Sequence, residues 1–132
     1  MSITVAPVGH SRILSVGTYR PKRVVPNSEI VDRIDSTDEW IVQRTGIESR
    51  RFAGDDETVI SMAKAACEIA LKRAKLTIAD IDTVILSTIS YPFQAPSAAT
   101  ELINELGNPK AAAFDISAAC AGFCYGVGMA SD

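Results

Sequence analysis

The chain has 132 residues, of which 47% are hydrophobic, enough for the core of one ordinary domain. Its 13 basic and 16 acidic residues give a formal net charge of -3, which argues against a nucleic-acid-binding protein because such proteins usually carry a basic face. No stretch approaches the roughly 18 consecutive apolar residues of a membrane span. Residues 1–10 lack the charged start and long apolar core of a secretory signal, so we expect a soluble cytoplasmic protein that binds neither nucleic acid nor membrane.

The first elements along the chain are predicted to be a strand and a short helix. Residues 11–18 alternate apolar and polar side chains, as a strand does, and Pro21 interrupts the pattern. Residues 28–34 then favour a short helix that Asn27 or Ser28 caps.

A second short helix carries candidate binding residues. Residues 36–39 (STDE) match a capping box, and Gly46 ends the predicted helix. Trp40 and Arg44 lie four residues apart and therefore on one helix face. An indole and a guanidinium at that spacing can hold an adenine ring and its phosphates by stacking and charge-assisted hydrogen bonds. A single tryptophan near a helix start is more often a core residue, so the residues alone favour a structural role.

The second half of the chain is predicted to alternate helices and strands. Residues 57–75 form an amphipathic helix, 83–89 a buried strand, 97–107 a helix that begins at serine and ends at glycine, and 111–116 another strand. A further helix is expected to begin at Cys120. This alternation implies an α/β fold with parallel strands and helices on the sheet faces. The predicted buried stripe of the amphipathic helix is Val59, Met62, Ala63, Ala66, Ile69, Ala70 and Ala74.

The three cysteines and the one histidine do not suggest a metal site. Cys67, Cys120 and Cys124 form no CxxC pair, and His10 lies in the N-terminal tail, so we expect no zinc. Residues four apart on a helix point the same way, which is a poor arrangement for a disulfide between Cys120 and Cys124. We interpret Cys67 and Cys124 as core residues.

Cys120 is the candidate nucleophile, because it lies where a short apolar strand turns into an apolar helix. Unpaired N–H groups and the positive end of the helix dipole favour a thiolate there. A free thiol is only about 3% ionised at pH 7, and a partly buried helix terminus lowers its pKa by roughly 1.5 units, so that about half is ionised. The alternative is that Cys120 is a small buried hydrophobic residue without reactivity.

The last predicted helix is apolar on every side. Residues 121–130 therefore need cover on every side, which 132 residues do not supply. We expect that the chain stops within or just after the helix that carries Cys120. Gly122, Gly126 and Gly128 fit close contact with a missing half or a dimer partner, although helix glycines also mark frayed ends.

Several separated motifs occur in one order along the chain, from Arg12 to the last residue. They resemble the β-ketoacyl-acyl carrier protein synthase III family of thiolase-fold condensing enzymes. The motifs are residues 16–21 (VGTYRP), 35–47 (DSTDEWIVQRTGI), 50–52 (RRF), 95–99 (APSAA) and 115–126 (DISAACAGFCYG).

The resemblance implies an α/β fold of the thiolase-like, layered α-β-α-β-α type. This chain would cover most of the N-terminal half, with residues 1–10 as a tail and residues 11–132 as a truncated half-domain. It also implies that the intact protein is a homodimer and needs no cofactor or metal, since the CoA thioester is a substrate.

The resemblance further implies an acyltransferase that condenses an acyl-CoA with malonyl-acyl carrier protein to initiate fatty-acid synthesis. Cys120 would accept the acyl group, and Ser36, Trp40 and Arg44 would form the CoA entrance. The family's histidine and asparagine come from its C-terminal half, so we expect the isolated chain to be inactive as a condensing enzyme.

Ala95 matches a loop position that, in the family, closes the acyl pocket of the partner subunit, often with an aromatic side chain. The alanine predicts a roomier pocket that accepts primers longer than acetyl, unless Phe93 or Tyr91 fills the space.

Other interpretations stay open. A thiolase or a hydroxymethylglutaryl-CoA synthase, enzymes of the same superfamily, would share the cysteine but differ in the missing half. It is also compatible with a non-catalytic acyl-thioester-binding or assembly module, or with a partner half on a separate chain.

Overall fold

A computed structural model of the chain describes residues 11–131. Within that range, none of the helices combines the length and the apolar composition needed to cross a bilayer. Its strands are β1 (Arg23–Pro26), β2 (Ser49–Phe52), β3 (Thr83–Ser87) and β4 (Ala112–Ile116). Its α-helices are α1 (Asp38–Thr45), α2 (Val59–Ala74), α3 (Ala98–Leu106) and α4 (Gly122–Ser131). Short 3-10 turns cover Asn27–Glu29, Val31–Arg33, Ile78–Asp80 and Ala119–Ala121.

Strands β3 and β4 are parallel neighbours, as the alternation of strands and helices predicts. Their register pairs Thr83 with Ala112 and Ser87 with Ile116. Successive side chains of a strand point to opposite faces of its sheet. Val84 and Leu86 accordingly pack on the core side, while Ile85 and Ser87 of β3 border the cavity next to α4. The sheet therefore separates α3 from α4, and α2 packs against α3.

The core lies between α2 and α3. Ile60, Ala98 and Leu102 are buried, with Ala63 and Cys67 half-buried beside them. Ile60, Ala63 and Cys67 have i, i+3, i+7 spacing and form the inner face of α2. The predicted stripe omitted Ile60, the one buried residue of α2, although Val59, where it began, is half-buried.

The predicted stripe was also wrong at Ile69, which is 37% exposed. A count of apolar positions cannot distinguish the helix face that contacts α3 from a neighbouring face made mainly of alanines. The contact with α3 decides which of the two faces is buried.

The predicted strand over residues 11–18 is absent. Its backbone has no strand partner within the described residues, and it runs along α2 instead. The Ser15 hydroxyl donates to the Ala70 carbonyl at 2.7 Å, and Arg73 donates to the Val16 carbonyl at 2.6 Å. The segment approaches α2 so closely that a Cβ at Gly17 would lie 1.9 Å from the Ala66 carbonyl oxygen.

The predicted helix over residues 28–34 is replaced by two 3-10 turns, Asn27–Glu29 and Val31–Arg33. Neither turn has a side-chain cap. The predicted cap, Asn27, instead bonds to other parts of the fold, which leaves the first turn without the capping bond that an α-helix start needs.

Helix α1 begins one residue later than a Ser36 cap would place it. Thr37 is the N-cap, and its hydroxyl accepts from the Trp40 amide at 3.2 Å. Gly46 ends the helix in the left-handed conformation at φ 69°, as predicted. Helix α3 confirms its predicted limits as well, with Ser97 as N-cap and Gly107 as C-cap.

Candidate active site

Cys120 lies in a tight turn between β4 and α4. The turn Ala119–Ala121 is a 3-10 helix, and α4 begins at Gly122. The prediction that the helix begins at Cys120 was therefore wrong by two residues. Ala119 has φ 44°, in the left-handed region that L residues with a side chain rarely adopt. The side chain of Cys120 is exposed. Within residues 11–131 this exposure argues against the alternative that Cys120 is a small buried residue without reactivity.

The Cys120 turn borders a cavity of about 420 Å³. The far wall comes from the end of β3 and the loop that follows it. The lining residues are Ser87, Thr88, Ile89, Ser90, Ala119 and Cys120. Three of the six carry hydroxyl groups, so the thiol faces a space that is partly polar and large enough for a small acyl group.

Hydrogen bonds at the end of the sheet hold this turn in place. The Ser87 hydroxyl donates to the Gly122 carbonyl at 2.9 Å, and the Thr88 amide donates to the Ile116 carbonyl at 3.1 Å. The carboxylate of Asp115 accepts from the amides of Ala98 and Ala99, both at 2.8 Å. These bonds tie the start of α3, the ends of β3 and β4, and the start of α4 to one another.

The sequence also indicates that Asp115 bonds to the start of a helix, although this contact was not predicted. A carboxylate within an apolar strand needs hydrogen-bond donors, and the first amides of a helix are the usual source. Asp115 therefore pointed to a helix start beside β4.

The other two cysteines differ from each other. Cys67 is half-buried against the core, as predicted, and burial raises the pKa of its thiol. Cys124 is exposed on α4, so its interpretation as a core residue is wrong. The reason is that α4 contacts β3 and β4 on one side, and its remaining surface is uncovered by residues 11–131.

Trp40 and Arg44 form a pair on the exposed face of α1. Trp40 is 54% exposed, which excludes the core role that the residues alone favoured. The guanidinium carbon of Arg44 lies 6.0 Å from the centroid of the Trp40 ring, within the range of a cation–π contact. An accessible indole face and a cation thus lie side by side, as binding of an aromatic ring with attached phosphates requires.

Ser36 lies just before the Thr37 cap of α1. Its hydroxyl oxygen is buried and has no hydrogen-bond partner in the described part of the chain. The structure thus places Ser36 near the start of the helix that carries Trp40, with its hydroxyl turned inward. Its role at a CoA entrance stays a prediction.

Asn27 connects α1 to the antiparallel pair of β1 and β2 and was not predicted as a site residue from the sequence. Its amide nitrogen donates to Asp38 Oδ1 at 2.6 Å and to the Ile47 carbonyl at 2.8 Å. Its amide oxygen accepts from Arg50. No local sequence signal distinguishes this role from the helix cap that we predicted, since both use an asparagine at the end of an extended segment.

Ala95 lies exposed in the loop between β3 and α3. In the same loop, the rings of Tyr91 and Phe93 pack edge to face, with centroids 5.6 Å apart. The cavity at Cys120 is lined by none of these three residues. The Trp40 pair also lies outside this cavity, so within residues 11–131 the nucleophile and the binding pair are separate surfaces. The same residues contain no cluster of three or more His, Cys, Asp or Glu side chains suited to a metal ion.

Comparisons with known proteins address the family of the chain. No family model matches it. A β-ketoacyl-[acyl-carrier-protein] synthase III of Kocuria rhizophila is 49% identical over 124 residues, which are 94% of this chain and 35% of that protein. The solved structure of a priming β-ketosynthase from a polyketide biosynthetic pathway superposes with a TM-score of 0.90 at 45% identity, covering all of this chain and 40% of the other.

A second solved structure, the 3-oxoacyl-[acyl-carrier-protein] synthase III of Aquifex aeolicus, has a TM-score of 0.84 at 41% identity over 89% of this chain and 38% of its own. The chain is similar in sequence and fold to part of β-ketoacyl-acyl carrier protein synthase III. It spans about a third of the length of the curated synthase III relatives that it matches. The expected thiolase-like α/β fold is confirmed by the solved synthase III structures.

Proposed function

We propose that the protein carrying this chain is a β-ketoacyl-acyl carrier protein synthase III that condenses an acyl-CoA with malonyl-acyl carrier protein. The single observation that supports this most is the 49% identity to a curated synthase III across 94% of the chain, a range that includes Cys120 in its exposed turn. The proposed partners are acyl-CoA, malonyl-acyl carrier protein and a second copy of the chain. The proposed location is the cytoplasm.

In the proposed first step, the Cys120 thiolate attacks the carbonyl carbon of the acyl-CoA thioester. The bond between that carbon and the CoA sulfur breaks, and CoA leaves as a thiolate that takes up a proton. The short turn before α4 supports this role because it exposes the sulfur next to a cavity of about 420 Å³. Backbone N–H groups at the start of α4 are suitable donors to the oxyanion that forms.

In the second step, malonyl-acyl carrier protein loses carbon dioxide, and the resulting carbanion attacks the acyl carbonyl on Cys120. A carbon–carbon bond forms and the bond to the cysteine sulfur breaks. The synthase III resemblance assigns this decarboxylation to a histidine and an asparagine outside this chain, whose one histidine is His10. We therefore expect the 132-residue chain to take up an acyl group without forming a β-ketoacyl product.

Trp40 and Arg44 are proposed to bind the adenine ring and phosphates of CoA, with Ser36 at the same entrance. The support is the exposed indole face and the guanidinium 6.0 Å from it. Ala95 is proposed to border the acyl pocket of the partner subunit and to allow primers longer than acetyl. Turnover of acetyl-CoA and octanoyl-CoA by the intact protein tests this, and equal exclusion of long primers would refute it.

Selective labelling of the cysteines tests the role of Cys120. Iodoacetamide at neutral pH, followed by peptide mass analysis, should label Cys120 first. Cys67 should react slowly, because burial raises the pKa of its thiol and keeps it protonated. Cys124 is the matched control, since it is also exposed but lies within α4.

Acetyl-CoA should then transfer one acetyl group to the chain, and Cys120→Ala should abolish the transfer while Cys124→Ala retains it. Labelling of Cys120 at the same rate as Cys124, with no acetyl transfer, would contradict the enzyme and favour a non-catalytic acyl-thioester-binding module.

A further inference from the structure

Helix α1 contributes little apolar surface to the fold. It has eight residues, and Ile41 is its one buried side chain. A helix of this length is marginally stable by itself in water and depends on contacts with the rest of the protein. Polar contacts between α1 and the rest of the protein therefore have a large part in fixing the positions of Trp40 and Arg44.

One side chain, that of Asn27, forms hydrogen bonds at both ends of α1. Asn27 is 1% exposed and lies between β1 and the helix. Its amide nitrogen donates to Asp38 Oδ1 at 2.6 Å, in the first residue of α1. The same nitrogen donates to the carbonyl of Ile47 at 2.8 Å, directly after the Gly46 cap that ends α1.

The hydrogen-bonding groups around Asn27 fix the orientation of its amide. The Asp38 carboxylate and the Ile47 carbonyl can only accept hydrogen bonds, and the Arg50 guanidinium can only donate. Arg50 donates to the amide oxygen of Asn27 and, at 3.4 Å, to the Val25 carbonyl of β1. The amide thus links α1 to the antiparallel strands β1 and β2, and both its nitrogen and its oxygen have hydrogen-bond partners.

We propose that Asn27 is a positioning residue for the CoA entrance. It fixes the direction of α1 and thereby the place of Trp40 and Arg44, without itself contacting the ligand. The inference rests on the proposed CoA-binding function of that pair. Loss of the two bonds to α1 reduces the fraction of molecules whose entrance is formed, and the apparent affinity falls with that fraction.

Asn27→Asp is the sharpest test, because it keeps the size of the side chain and its contact with Arg50 but replaces the donor nitrogen by an acceptor. The bonds to Asp38 and Ile47 are then lost. Asn108→Asp is the matched control. The amide nitrogen of Asn108, which follows the Gly107 cap of α3, also donates to two carbonyls, of Ile78 at 3.0 Å and Ile81 at 2.9 Å.

Two measurements separate the positioning role from the proposed function. Trp40 is the only tryptophan of the chain, so acrylamide quenching of its fluorescence reports on α1 directly. Amide hydrogen exchange of residues 38–47 reports on the same helix without any ligand. A titration of the 132-residue chain with CoA, followed by Trp40 fluorescence, measures binding.

We expect Asn27→Asp to speed exchange over residues 38–47, to increase quenching of Trp40 and to weaken CoA binding about tenfold. Asn108→Asp should lower stability and leave all three values at those of the parent chain. Equal effects of the two variants, or none in Asn27→Asp, would overturn the inference. Failure of the parent chain to bind CoA would refute the proposed entrance alone, since exchange and quenching still test the fastening of α1.

Asp38→Ala keeps the test decisive if Asn27→Asp does not fold. Asp38 is exposed, and this change removes one of the two bonds while Asn27 stays intact. Faster exchange at the start of α1 and weaker CoA binding support the inference, and values equal to those of the parent chain overturn it.

Discussion

The backbone of Ala119 is the most unusual feature next to the candidate nucleophile. A residue with a side chain costs about 1–2 kcal/mol in the left-handed region, and Ala119 has φ 44°. A β-branched side chain is tolerated there still less. Ala119→Val should therefore lower the free energy of unfolding in urea by about 1–2 kcal/mol and slow the alkylation of Cys120.

The control for this change is Ala112→Val, at an equally exposed alanine in the extended backbone of β4. Valine suits a strand, so this variant should stay within about 0.5 kcal/mol of the parent chain. Equal stability of the two variants would show that the conformation at Ala119 is not maintained in solution.

Glu57 is a second residue with a testable role, because its hydrogen bonds make the stability of the fold depend on pH. Its carboxylate accepts from the Tyr19 hydroxyl, from the Gly54 amide at 2.9 Å and from the Lys22 amide at 3.1 Å. The hydrogen bond from Tyr19, followed by that from Gly54, lowers the pKa of Glu57 below its ordinary value. These bonds connect the segment before β1 to the loop before α2.

The sign of the pH effect follows from that lowered pKa. The folded state favours the carboxylate, so Glu57 stabilises the fold above the ordinary glutamate pKa of about 4.3 and loses this contribution as the pH falls toward the lowered value. Glu57→Gln should lower the midpoint of thermal unfolding by a few degrees at pH 7, with a smaller difference from the parent chain in acid. Glu68→Gln, at an exposed site on α2, should do neither, and a pH-independent loss in Glu57→Gln would contradict the explanation.

At the scale of elements, the contact between α4 and β3 controls the position of the Cys120 turn. A Cβ at Gly122 would lie 3.0 Å from the Cβ of Ser87, and one at Gly126 would lie 3.3 Å from its hydroxyl oxygen. A Cβ at Gly128 would have no heavy atom within 4 Å. The predicted close contact of Gly122 and Gly126 thus exists, but it is made with β3 of the same chain.

These distances predict opposite effects for one substitution at two positions of α4. Gly128→Ala should raise the free energy of unfolding by about 1 kcal/mol, because alanine favours a helix over glycine and space is available. Gly122→Ala should lose that gain to the contact with Ser87 and move the Cys120 turn. Urea denaturation and the rate of Cys120 alkylation measure both effects, and an equal gain in the two variants would mean that α4 does not lie so close to β3.

The elements that the sequence predicted well are those with local signals. Helix α3 has a serine cap at its start and a glycine directly after its end, and strands β3 and β4 are short apolar runs. The strand over residues 11–18 was wrong because alternation alone does not supply a strand partner. The helix over residues 28–34 was wrong because Asn27 bonds to α1, and the sequence does not reveal so distant a contact.

The residues of the candidate site likewise fall into those that the sequence predicted and those that it did not. Cys120, Trp40 and Arg44 were predicted from residue types and spacing together with the family resemblance, because the residues alone favoured a structural role for Trp40. The hydrogen bond from Asn27 to Asp38 joins residues 11 positions apart, and no local pattern indicates this bond or the left-handed backbone of Ala119.

At the scale of the whole molecule, the described chain exposes an apolar surface on α4. Phe123 is 73% exposed and Met129 is 54% exposed. Both side chains border a cavity of about 700 Å³ that also includes Ile85 of β3 and Phe114 of β4. Residues 11–131 thus leave this helix partly uncovered, as its all-round apolar sequence predicted. A cavity of this volume with mainly apolar walls is suited to a dye-sized aromatic molecule.

We therefore expect the folded 132-residue chain to bind anilinonaphthalene sulfonate at neutral pH, and the double variant Phe123→Gln, Met129→Gln to lose most of the fluorescence. Because Phe123 and Met129 are already exposed, the free energy of unfolding of this double variant should stay within about 0.5 kcal/mol of the value for the parent chain. The control is Val24→Gln, Ile34→Gln, at two apolar residues that are each 47% exposed outside this cavity. Equal loss of dye fluorescence in the two double variants would show that the dye reports general apolar exposure, and that α4 does not form the binding surface.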